Sequence, residues 1–574
     1  MGSLTITALT FSCIMPLVYS QSPYVTTTLG EVAGNTILFS EDSYIGVNKY
    51  IDVYKGIPYA QPPVGNLRFE KPLPKEPWIG TLNAMEYSPW CTQPGTTPYT
   101  VVGEDDCLYL NIFVPQSKPN NASVMLFIHG GGFSTGSASV EDYSGVVLAA
   151  TGDIIVVTIN YRLNSYGFLT TEISGLYTLL HGESAGSASV DYHLLSKQSW
   201  DYFSQAILES GTSLSYFAYM EREVAKNLSI NIGRKVGCDF TDSKTFVECM
   251  KGVDPGAVVN ASVGINLRPV VDGVFLERSP EILIRNRDFK MDATIIFGTN
   301  KDEGTLVYLL LPGYLGYLTT TPKVSKSEFL TLIPAAFVPI EEASNPLILD
   351  SIYFEYTDWS QADDPDANYF DSGVQLATDV RFLCPKDAVQ RAHASVGNKV
   401  YVYLMTHTPT VSVYGLDFPW IGASHAEELQ FVFGLPFLNG TTNTYLLEQP
   451  SDNDRNVSVE IMRYWTNFAK TGDPNTRGSE TPAPSFKKDL THWPEFTIPD
   501  LNYLDINLMS SSERAYRADK CAFWNTYEPK LEQFAADTSE IEESWRTDYY
   551  SWKYNDLPEW QKAFDDYKQS KVCA

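Results

Sequence analysis

The sequence predicts an α/β fold, in which a large, mostly parallel and twisted central sheet is flanked by helices. Apolar runs rich in β-branched residues, such as "SVMLFIHGGGF" and "DIIVVTINYRL", have the length and composition of buried parallel strands. Helical patterns lie between several of these runs, as in "RNVSVEIMRYWTNFAK". Glycine and polar residues follow the runs directly, and open α/β sheets bind their ligands at that edge.

The elements follow one another along most of the chain in this manner. Residues 24–115 mix short β-like runs with Pro/Gly turns, as in "GIPYAQPPVGNLRF". The later stretches "SQAILESG", "ATIIFGTNKDEG" and "NKVYVYLMTH" begin as apolar runs and end in polar residues. Residues 530–574 are charged and aromatic without a strand pattern, which predicts an appended amphipathic helix. We therefore expect three regions, namely a leader over 1–20, a globular domain over 21–530 and a tail over 531–574.

Composition places the chain among globular proteins. Its 574 residues are 44% hydrophobic and 19% charged, which suits a large core and excludes a disordered chain. The net charge of -28 disfavours binding to nucleic acid or to anionic membranes and would attract cationic ligands. A simpler interpretation remains open, in which the acidic surface only keeps a secreted protein soluble.

The N-terminal segment "MGSLTITALTFSCIMPLVYSQ" resembles a signal peptide cleaved near Ser20, although its first residues lack Lys and Arg. A buried N-terminal segment is the alternative. Elsewhere the sequence has no apolar run long enough to span a membrane, and its polar C-terminus does not resemble a lipid-anchor signal. We therefore expect a secreted, extracellular protein that reaches a membrane or synapse only through an anchoring partner.

Cysteines and glycosylation motifs agree with secretion. Of eight cysteines, Cys13 lies in the leader, and the other seven allow three bridges and leave one thiol for an intermolecular bond. These seven are Cys91, Cys107, Cys238, Cys249, Cys384, Cys521 and Cys573. N-x-S/T sequons for N-glycosylation lie at Asn121, Asn227, Asn260, Asn439 and Asn456.

Ser184 is the candidate nucleophile. In "YTLLHGESAG" a short apolar run leads directly into G-x-S-x-G, with Gly182 and Gly186 on either side of the serine. This strand–turn–helix context is typical of a nucleophile elbow, in which the glycines permit a tight turn that exposes the hydroxyl. A bare G-x-S-x-G match, by contrast, is more often an ordinary loop.

A serine nucleophile needs a base and a carboxylate that orients it, in the chain order Ser, Asp/Glu, His. Glu303 follows the strand-like run "ATIIFGTN", although an ion pair with a neighbouring lysine would also explain it. Among the histidines beyond it, His393, His407, His425 and His492, we select His425 because "GASHAEELQFVFG" is a glycine-flanked loop before an apolar run. A surface or packed histidine is the alternative.

The glycine cluster "HGGGF", residues 129–133, follows a strand and is the candidate oxyanion loop. Its N–H groups would stabilise the charged tetrahedral intermediate, and losing one such donor costs about 3 kcal/mol of transition-state stabilisation. A plain glycine turn is the alternative.

Taken together, these stretches resemble the type-B carboxylesterases, the cholinesterase/carboxylesterase family. The matching stretches include "YKGIPYAQPPVGNLRF", "EDDCLYLNIFVP", "HGGGF", "INYRLNSYGFL", "HGESAG", "GTNKDEGT" and "HAEELQFVFGLP", in family order within residues 50–529. The resemblance implies an α/β-hydrolase fold and ester hydrolysis through an acyl-enzyme, without a cofactor or a metal. Carried over by position, it makes Ser184 the nucleophile, Glu303 the acid and His425 the base. It places the oxyanion hole at Gly131, Gly132 and Ala185, and implies the bridges Cys91–Cys107, Cys238–Cys249 and Cys384–Cys521.

The tail resembles the tryptophan-rich tetramerisation tail of cholinesterases. Trp545 and Trp552 are seven residues apart and would share a helix face, and Trp560 continues the aromatic stripe. The resemblance implies a dimer or tetramer formed through residues 541–573 around a proline-rich anchoring polypeptide, with Cys573 forming an interchain bridge. We also expect Pro558 to kink the helix. A helix docked on its own catalytic domain is the alternative.

The substrate pocket departs from the cholinesterase pattern. The loop "TQPGTTPYTVVGEDD" lacks the tryptophan that binds choline in the family, and only Tyr99 offers a ring there. Glu183 would keep a negative charge beside the nucleophile. The remaining pocket positions that the resemblance implies are Phe217 and Trp420, which stay aromatic, and Val263, Ile265, Leu306 and Val307, which are smaller. The pattern therefore predicts either choline esters, including bulkier acyl groups, or neutral esters of broad specificity.

The connection before the nucleophile is also shorter than in the family. Only "EISGL" separates "GFLTT" from "YTLLHGESAG", where the family carries a crossover helix that reads like D-Q-x-x-A-L-x-W-V. We expect one face of the sheet to lose its helical cover. The alternatives to an active esterase are a non-catalytic adhesion or binding protein on the same fold and an inactive truncated isoform.

Overall fold

The computed structural model describes residues 22–95, 97, 100–169, 179–311, 320–337, 345–415, 418–438, 449–476 and 489–572. Five features of the sequence analysis lie outside these residues, namely the leader 1–20, Tyr99, the short connection "EISGL", Asn439 and Cys573.

An 11-stranded sheet forms the centre of the molecule. Its strands, numbered in chain order, are β1 (Asn35–Glu41), β2 (Val47–Pro58), β3 (Tyr109–Pro115), β4 (Val124–Ile128), β5 (Ile155–Ile159), β6 (Leu179–Glu183), β7 (Gln205–Glu209), β8 (Thr294–Asn300), β9 (Lys399–Met405), β10 (Asn502–Ile506) and β11 (Ser511–Arg514). Across the sheet they run β1-β2-β3-β5-β4-β6-β7-β8-β9-β10-β11. Strands β4 to β10 are parallel, and the outer pairings are antiparallel. The predicted large, mostly parallel sheet is therefore confirmed.

Helices lie between the strands and beyond the sheet. The α-helices are Val146–Gly152, Asn164–Phe168, Ala185–Leu195, Arg222–Lys235, Ser243–Lys251, Pro255–Ser262, Pro280–Asn286, Thr305–Leu310, Lys326–Leu332, Pro346–Tyr356, Phe370–Thr378, Cys384–Ser395, Leu429–Val432, Asp452–Thr471, Ala518–Ala522, Glu528–Ser551 and Leu557–Val572. Single helical turns of 3₁₀ or π type are Gly65–Leu67, Glu141–Tyr143, Trp200–Tyr202, Ile333–Phe337, Asp379–Leu383, Leu435–Phe437, Phe523–Tyr527 and Trp552–Asp556. Short strands outside the main sheet are Tyr24–Thr26, Glu31–Ala33, Thr81–Asn83, Gln93–Pro94 and Val101–Val102.

The helix Asp452–Thr471 shows how local sequence determines an element that covers the sheet. Ser451 and Asp454 form a reciprocal capping box at its start, and Gly472 ends it in the left-handed conformation. Its apolar face buries Trp465 completely in the core beneath the sheet. The helical pattern over residues 455–470 is thus confirmed, with the start three residues earlier.

The two faces of the sheet are unequally covered near β3, β4 and β5. On one face Phe113 and Phe127 are 0% exposed. On the opposite face Leu110, Val124 and Ile155 are partly buried, whereas Leu126, Ile128 and Val157 are buried. Residues 170–178 of the short connection between β5 and β6 lie outside the described part of the chain, so the expected loss of helical cover stays a prediction.

Three disulfides form as the family resemblance implies. They join Cys91 to Cys107, Cys238 to Cys249 and Cys384 to Cys521. The last one spans 137 residues and ties the start of helix Cys384–Ser395 to the C-terminal part of the domain.

The tail is helical from residue 528 to residue 572. The helix Glu528–Ser551 continues through the wide turn Trp552–Asp556 into the helix Leu557–Val572. Pro558 lies in the first turn of this last helix, where its missing N–H is tolerated, so the irregularity falls in the turn before it. In the part of the chain that the structure describes, no helix is long and apolar enough to cross a membrane.

Candidate active site

Ser184 sits at a strained turn between β6 and the helix Ala185–Leu195. Its φ of 55° and ψ of -119° lie outside the regions that non-glycine residues usually adopt. A Cβ on Gly182 would lie 2.4 Å from the carbonyl carbon of Gly186, and a Cβ on Gly186 would lie 1.9 Å from the carbonyl oxygen of Ile128. Only glycine fits at either position, so the G-x-S-x-G motif has the geometry of a nucleophile elbow.

The structure brings Glu303 and His425 together beside this turn. Glu303 follows β8, and its Oε2 lies 2.6 Å from His425 Nδ1. Its other oxygen, Oε1, accepts hydrogen bonds from the Asn300 N–H at 2.7 Å and from the Ser210 hydroxyl at 2.5 Å. Glu303 is 0% exposed and His425 is 7% exposed. Such a buried carboxylate can hold the imidazole in one tautomer and orientation.

The second ring nitrogen of His425 faces Glu183. His425 Nε2 lies 3.0 Å from Glu183 Oε1. Burial raises the pKa of Glu183 well above its ordinary value, and the charges of Glu303 and Glu209 add to this effect. These surroundings disfavour the negative charge that we expected beside Ser184, and that charge stays a prediction.

The glycine loop after β4 packs directly against Ser184. A Cβ on Gly130 would lie 3.1 Å from the Ser184 Cβ and 2.3 Å from Glu183 Oε2. The loop then turns back through N–H groups of Ser134 and Thr135, which donate to the carbonyl oxygen of Gly131 at 3.1 Å and 3.0 Å.

Two of the three proposed oxyanion donors are in this loop. Gly131 and Gly132 adopt φ values of +107° and +60°. Ala185, the third proposed donor, is the first residue of the helix after Ser184, where N–H groups have no helical partner. The loop and the helix N-terminus thus meet around the serine.

Aromatic side chains line one side of the histidine. The Phe382 ring lies 4.7 Å from the His425 ring, and the Phe217 ring lies 5.7 Å from Phe382. A Cβ on Gly211 would be 2.4 Å from the Ser184 carbonyl oxygen and 3.3 Å from Phe217 Cζ, so Phe217 borders the site as the resemblance implies.

Three other pocket positions lie on the helix after Glu303 or in the apolar cluster that this helix joins. Trp420 is buried, stacks on Phe418 at 5.0 Å and meets Phe370 edge-on at 5.5 Å. Leu306 and Val307 lie on the helix Thr305–Leu310, with Leu306 partly buried and Val307 buried in the same apolar cluster as Trp420.

Val263 and Ile265 belong to a different part of the structure. Val263 follows the helix Pro255–Ser262 and is 53% exposed. Ile265 packs partly buried against the apolar cluster that contains Phe246. The neighbouring Asn266 accepts a hydrogen bond from Ser134 of the glycine loop at 3.5 Å, which links this segment to the edge of the site.

Several residues of the site escaped the sequence analysis. Glu209 ends the strand "QAILE", Ser210 follows it, and Glu428 comes three residues after His425. Glu428 is 1% exposed and takes a hydrogen bond from the Asn300 side chain at 2.5 Å. Burial, followed by the charge of Glu209, raises the pKa of Glu428 well above its ordinary value. Polar residues after a strand were a usable signal for Ser210, whereas Phe382 lies in a π turn that no pattern indicated.

Most sequon asparagines are accessible. Asn121, Asn227, Asn260 and Asn456 are exposed to solvent. Their modification remains a prediction.

Comparison with known proteins identifies the family. The model of the carboxylesterase family matches residues 21–180 and 177–524. The two matched stretches overlap at residues 177–180, where β6 begins. The short connection between β5 and β6 comes directly before this overlap.

Relatives with established names match over nearly the whole chain. An acetylcholinesterase from Bungarus fasciatus is 30% identical, with 92% of this chain and 90% of the relative covered. A cholinesterase from Mus musculus is 33% identical, with 91% and 90% covered. An acetylcholinesterase from Danio rerio is 29% identical, with 96% and 95% covered. The elbow, the buried His–Glu pair, the glycine loop and these matches together show that the chain belongs to the carboxylesterase family.

Proposed function

We propose that the chain is a secreted serine hydrolase of carboxylic esters that works through an acyl-enzyme. The observation that carries this proposal is the 2.6 Å contact between His425 Nδ1 and Glu303 Oε2 beside the strained turn of Ser184. A base held in this way, next to a serine on a strained turn, is the arrangement that nucleophilic catalysis requires.

The reaction would proceed in two halves. The Ser184 hydroxyl oxygen attacks the ester carbonyl carbon while His425 Nε2 accepts its proton, and the N–H groups of Gly131, Gly132 and Ala185 stabilise the oxyanion. The alcohol then leaves with the proton from His425, and water repeats the sequence to release the acid. Nε2 contacts Glu183 in the structure, and catalytic hydrogen bonds commonly become short only when substrate is bound.

Choline esters such as acetylcholine are the proposed substrates, in line with the names of the relatives. Phe217, Phe382 and Trp420 offer aromatic faces of the kind that attract quaternary ammonium groups. One observation favours the second candidate, broad hydrolysis of neutral esters. Burial raises the pKa of Glu183 well above its ordinary value, which disfavours the negative charge that would attract a cation.

The two candidates are separated by direct assay of the full chain. Purified protein is tested with acetylthiocholine, butyrylthiocholine and naphthyl acetate, and Ser184→Ala is the control. We expect hydrolysis that disappears in the variant. Turnover of naphthyl acetate alone would favour the neutral esterase. Absence of turnover from folded protein would favour the non-catalytic binding protein or the inactive truncated isoform.

We also propose that residues 541–573 assemble the chain into dimers or tetramers around a proline-rich polypeptide. Trp545 and Trp552 are 62% and 49% exposed, and Tyr549 stacks on Trp545 at 5.3 Å. Trp560 is 75% exposed further along the tail. Exposed aromatic rings at helical spacing can pack against a polyproline helix. An anchored polypeptide of this kind would hold the secreted protein at a cell surface or synapse.

Truncation tests the assembly. The chain ending at residue 540 should be a smaller species by light scattering, and Cys573→Ser should lose only the disulfide-linked dimer on non-reducing gels. An unchanged molar mass after truncation would contradict the tail proposal without affecting the esterase proposal.

A further inference from the structure

A second buried histidine–carboxylate pair lies directly beneath the candidate active site. His181 is on β6, three residues before Ser184, and Glu209 ends the neighbouring strand β7. The His181 Nε2 atom lies 2.9 Å from Glu209 Oε1, and both side chains are 0% exposed. Neither group takes part in the reaction described above.

The surroundings of this pair are apolar and aromatic. The His181 ring lies 5.0 Å from Phe127 and 6.4 Å from Phe433. Glu209 Oε1 also accepts a hydrogen bond from Trp465 Nε1 at 2.6 Å. Within the described residues neither ring nitrogen of His181 makes a well-directed hydrogen bond, so its contact with Glu209 is mainly electrostatic. An unpaired carboxylate in such a place would be strongly destabilised, which favours paired opposite charges.

Glu209 is linked to the catalytic groups through the backbone and through its charge. The Ser184 N–H donates to the Glu209 carbonyl oxygen at 2.8 Å, and the next residue, Ser210, donates to Glu303. After burial, the charge of Glu209 is among the causes that raise the pKa values of Glu183 and Glu428. The titratable groups packed near the pair from neighbouring elements are Tyr143, Glu183, Glu303, Tyr403, His425 and Glu428.

We propose that His181 and Glu209 are positioning residues whose paired charges set the electrostatic potential at Ser184 and His425. This inference rests on the proposed esterase activity. In this proposal the 2.9 Å contact lets the two side chains compensate each other, so that the catalytic groups sense one pair and not an additional buried anion.

Removing only the positive partner should change the pH dependence of the reaction. With His181 replaced by a neutral residue, whatever negative charge Glu209 keeps is no longer compensated and stabilises the protonated, inactive forms of the site. We expect the acidic limb of the kcat/KM profile to move to higher pH by about one unit, the shift that a nearby buried charge produces. Removing both charges should restore the original limb.

The experiment measures kcat/KM for naphthyl acetate from pH 5 to 9 in a set of full-length variants. His181→Gln removes the imidazole and keeps a polar N–H beside Glu209. If this variant is not recovered folded, His181→Asn is used in its place. His181→Lys retains the positive charge and should keep the wild-type limb. The double variant His181→Gln, Glu209→Gln should also return to it.

The matched control is another buried histidine. His393 is 0% exposed and contacts the Asn398 side chain at 2.8 Å, away from the carboxyl groups of the site, so His393→Gln should leave the limb unchanged. Thermal unfolding establishes that each variant is folded.

The outcomes separate the two proposals. An active wild type whose acidic limb is shared by all variants would overturn the charge-pairing inference and leave the esterase intact. A shift in His181→Lys as large as that in His181→Gln would also overturn it. A wild type without ester hydrolysis would refute the proposed function, and this inference would fall with it.

Discussion

Replacing Gly131 by alanine should disable the oxyanion loop, whereas the same change at Gly132 should not. Gly131 has a φ of +107°, and an alanine Cβ there would lie 2.1 Å from the carbonyl oxygen of Thr135. Gly132 has a φ of +60°, and a Cβ there meets nothing within 4 Å. The two neighbouring glycines therefore form a matched pair that differs in steric freedom.

The structure gives the size of each effect. Ordinary contact between a Cβ and the Thr135 oxygen needs about 3 Å or more, so the loop of Gly131→Ala must move by about 1 Å. The positive φ of the new alanine also costs about 1–3 kcal/mol of backbone strain. A displaced donor loses about 3 kcal/mol of transition-state stabilisation, or 10²- to 10³-fold in kcat. Gly132→Ala adopts the left-handed region at a cost of about 1–2 kcal/mol, and its N–H stays in place.

The assay measures kcat/KM with naphthyl acetate. Its acetyl group is small and leaves room for the added methyl group. We expect a fall of at least about 100-fold for Gly131→Ala and less than about tenfold for Gly132→Ala. Equal losses in the two variants, or a Gly131→Ala enzyme close to wild type with an unchanged melting temperature, would refute the assignment of the oxyanion loop.

Three further predictions concern the acid, the pH dependence and the longest disulfide. Glu303→Gln should lower kcat about 10⁴-fold because the imidazolium loses its carboxylate, and a loss below tenfold would argue against the triad. Burial raises the pKa of Glu427 to about 7. The protonated side chain therefore stabilises the folded state at low pH, and this stabilisation, about 3 kcal/mol, is lost as the pH rises from about 4.5 to 7. Urea unfolding should show this fall relative to Glu427→Gln, and a pH-independent difference would contradict it. Replacing Cys384 and Cys521 by alanine releases a loop of 137 residues and should lower the free energy of unfolding by about 5 kcal/mol; less than about 1 kcal/mol would contradict the estimate from chain entropy.

Much of the fold and the site followed from local patterns in the sequence. Strands such as β4, β5 and β9 are mostly apolar because both faces of a parallel sheet are buried. The elbow was visible because G-x-S-x-G is a local motif, although the contact that excludes a side chain at Gly186 comes from Ile128 on a neighbouring strand. Local patterns indicated Glu303 and His425 separately, whereas their pairing needed the family resemblance, since 122 residues separate them.

What the sequence did not reveal depends on packing between distant segments. The raised pKa of Glu183 results from burial and from neighbouring carboxylates supplied by other segments. The contact between His181 and Glu209 arises because β6 and β7 are adjacent in the sheet, and nothing in the motif "HGESAG", which begins with His181, indicates this partner. Val263 illustrates the converse, because a position assigned to the pocket by resemblance is mostly exposed at the end of a helix.

The most direct test of the central claim is covalent labelling with an organofluorophosphate, followed by mass spectrometry of the peptide that contains "HGESAG". Our account predicts a single phosphoryl adduct on Ser184, formed with loss of fluoride, and no adduct in Ser184→Ala. It also predicts much slower labelling in Glu303→Gln, because His425 then lacks its partner. An adduct on another serine, or no adduct on folded wild-type protein, would contradict the assignment of Ser184 as the nucleophile.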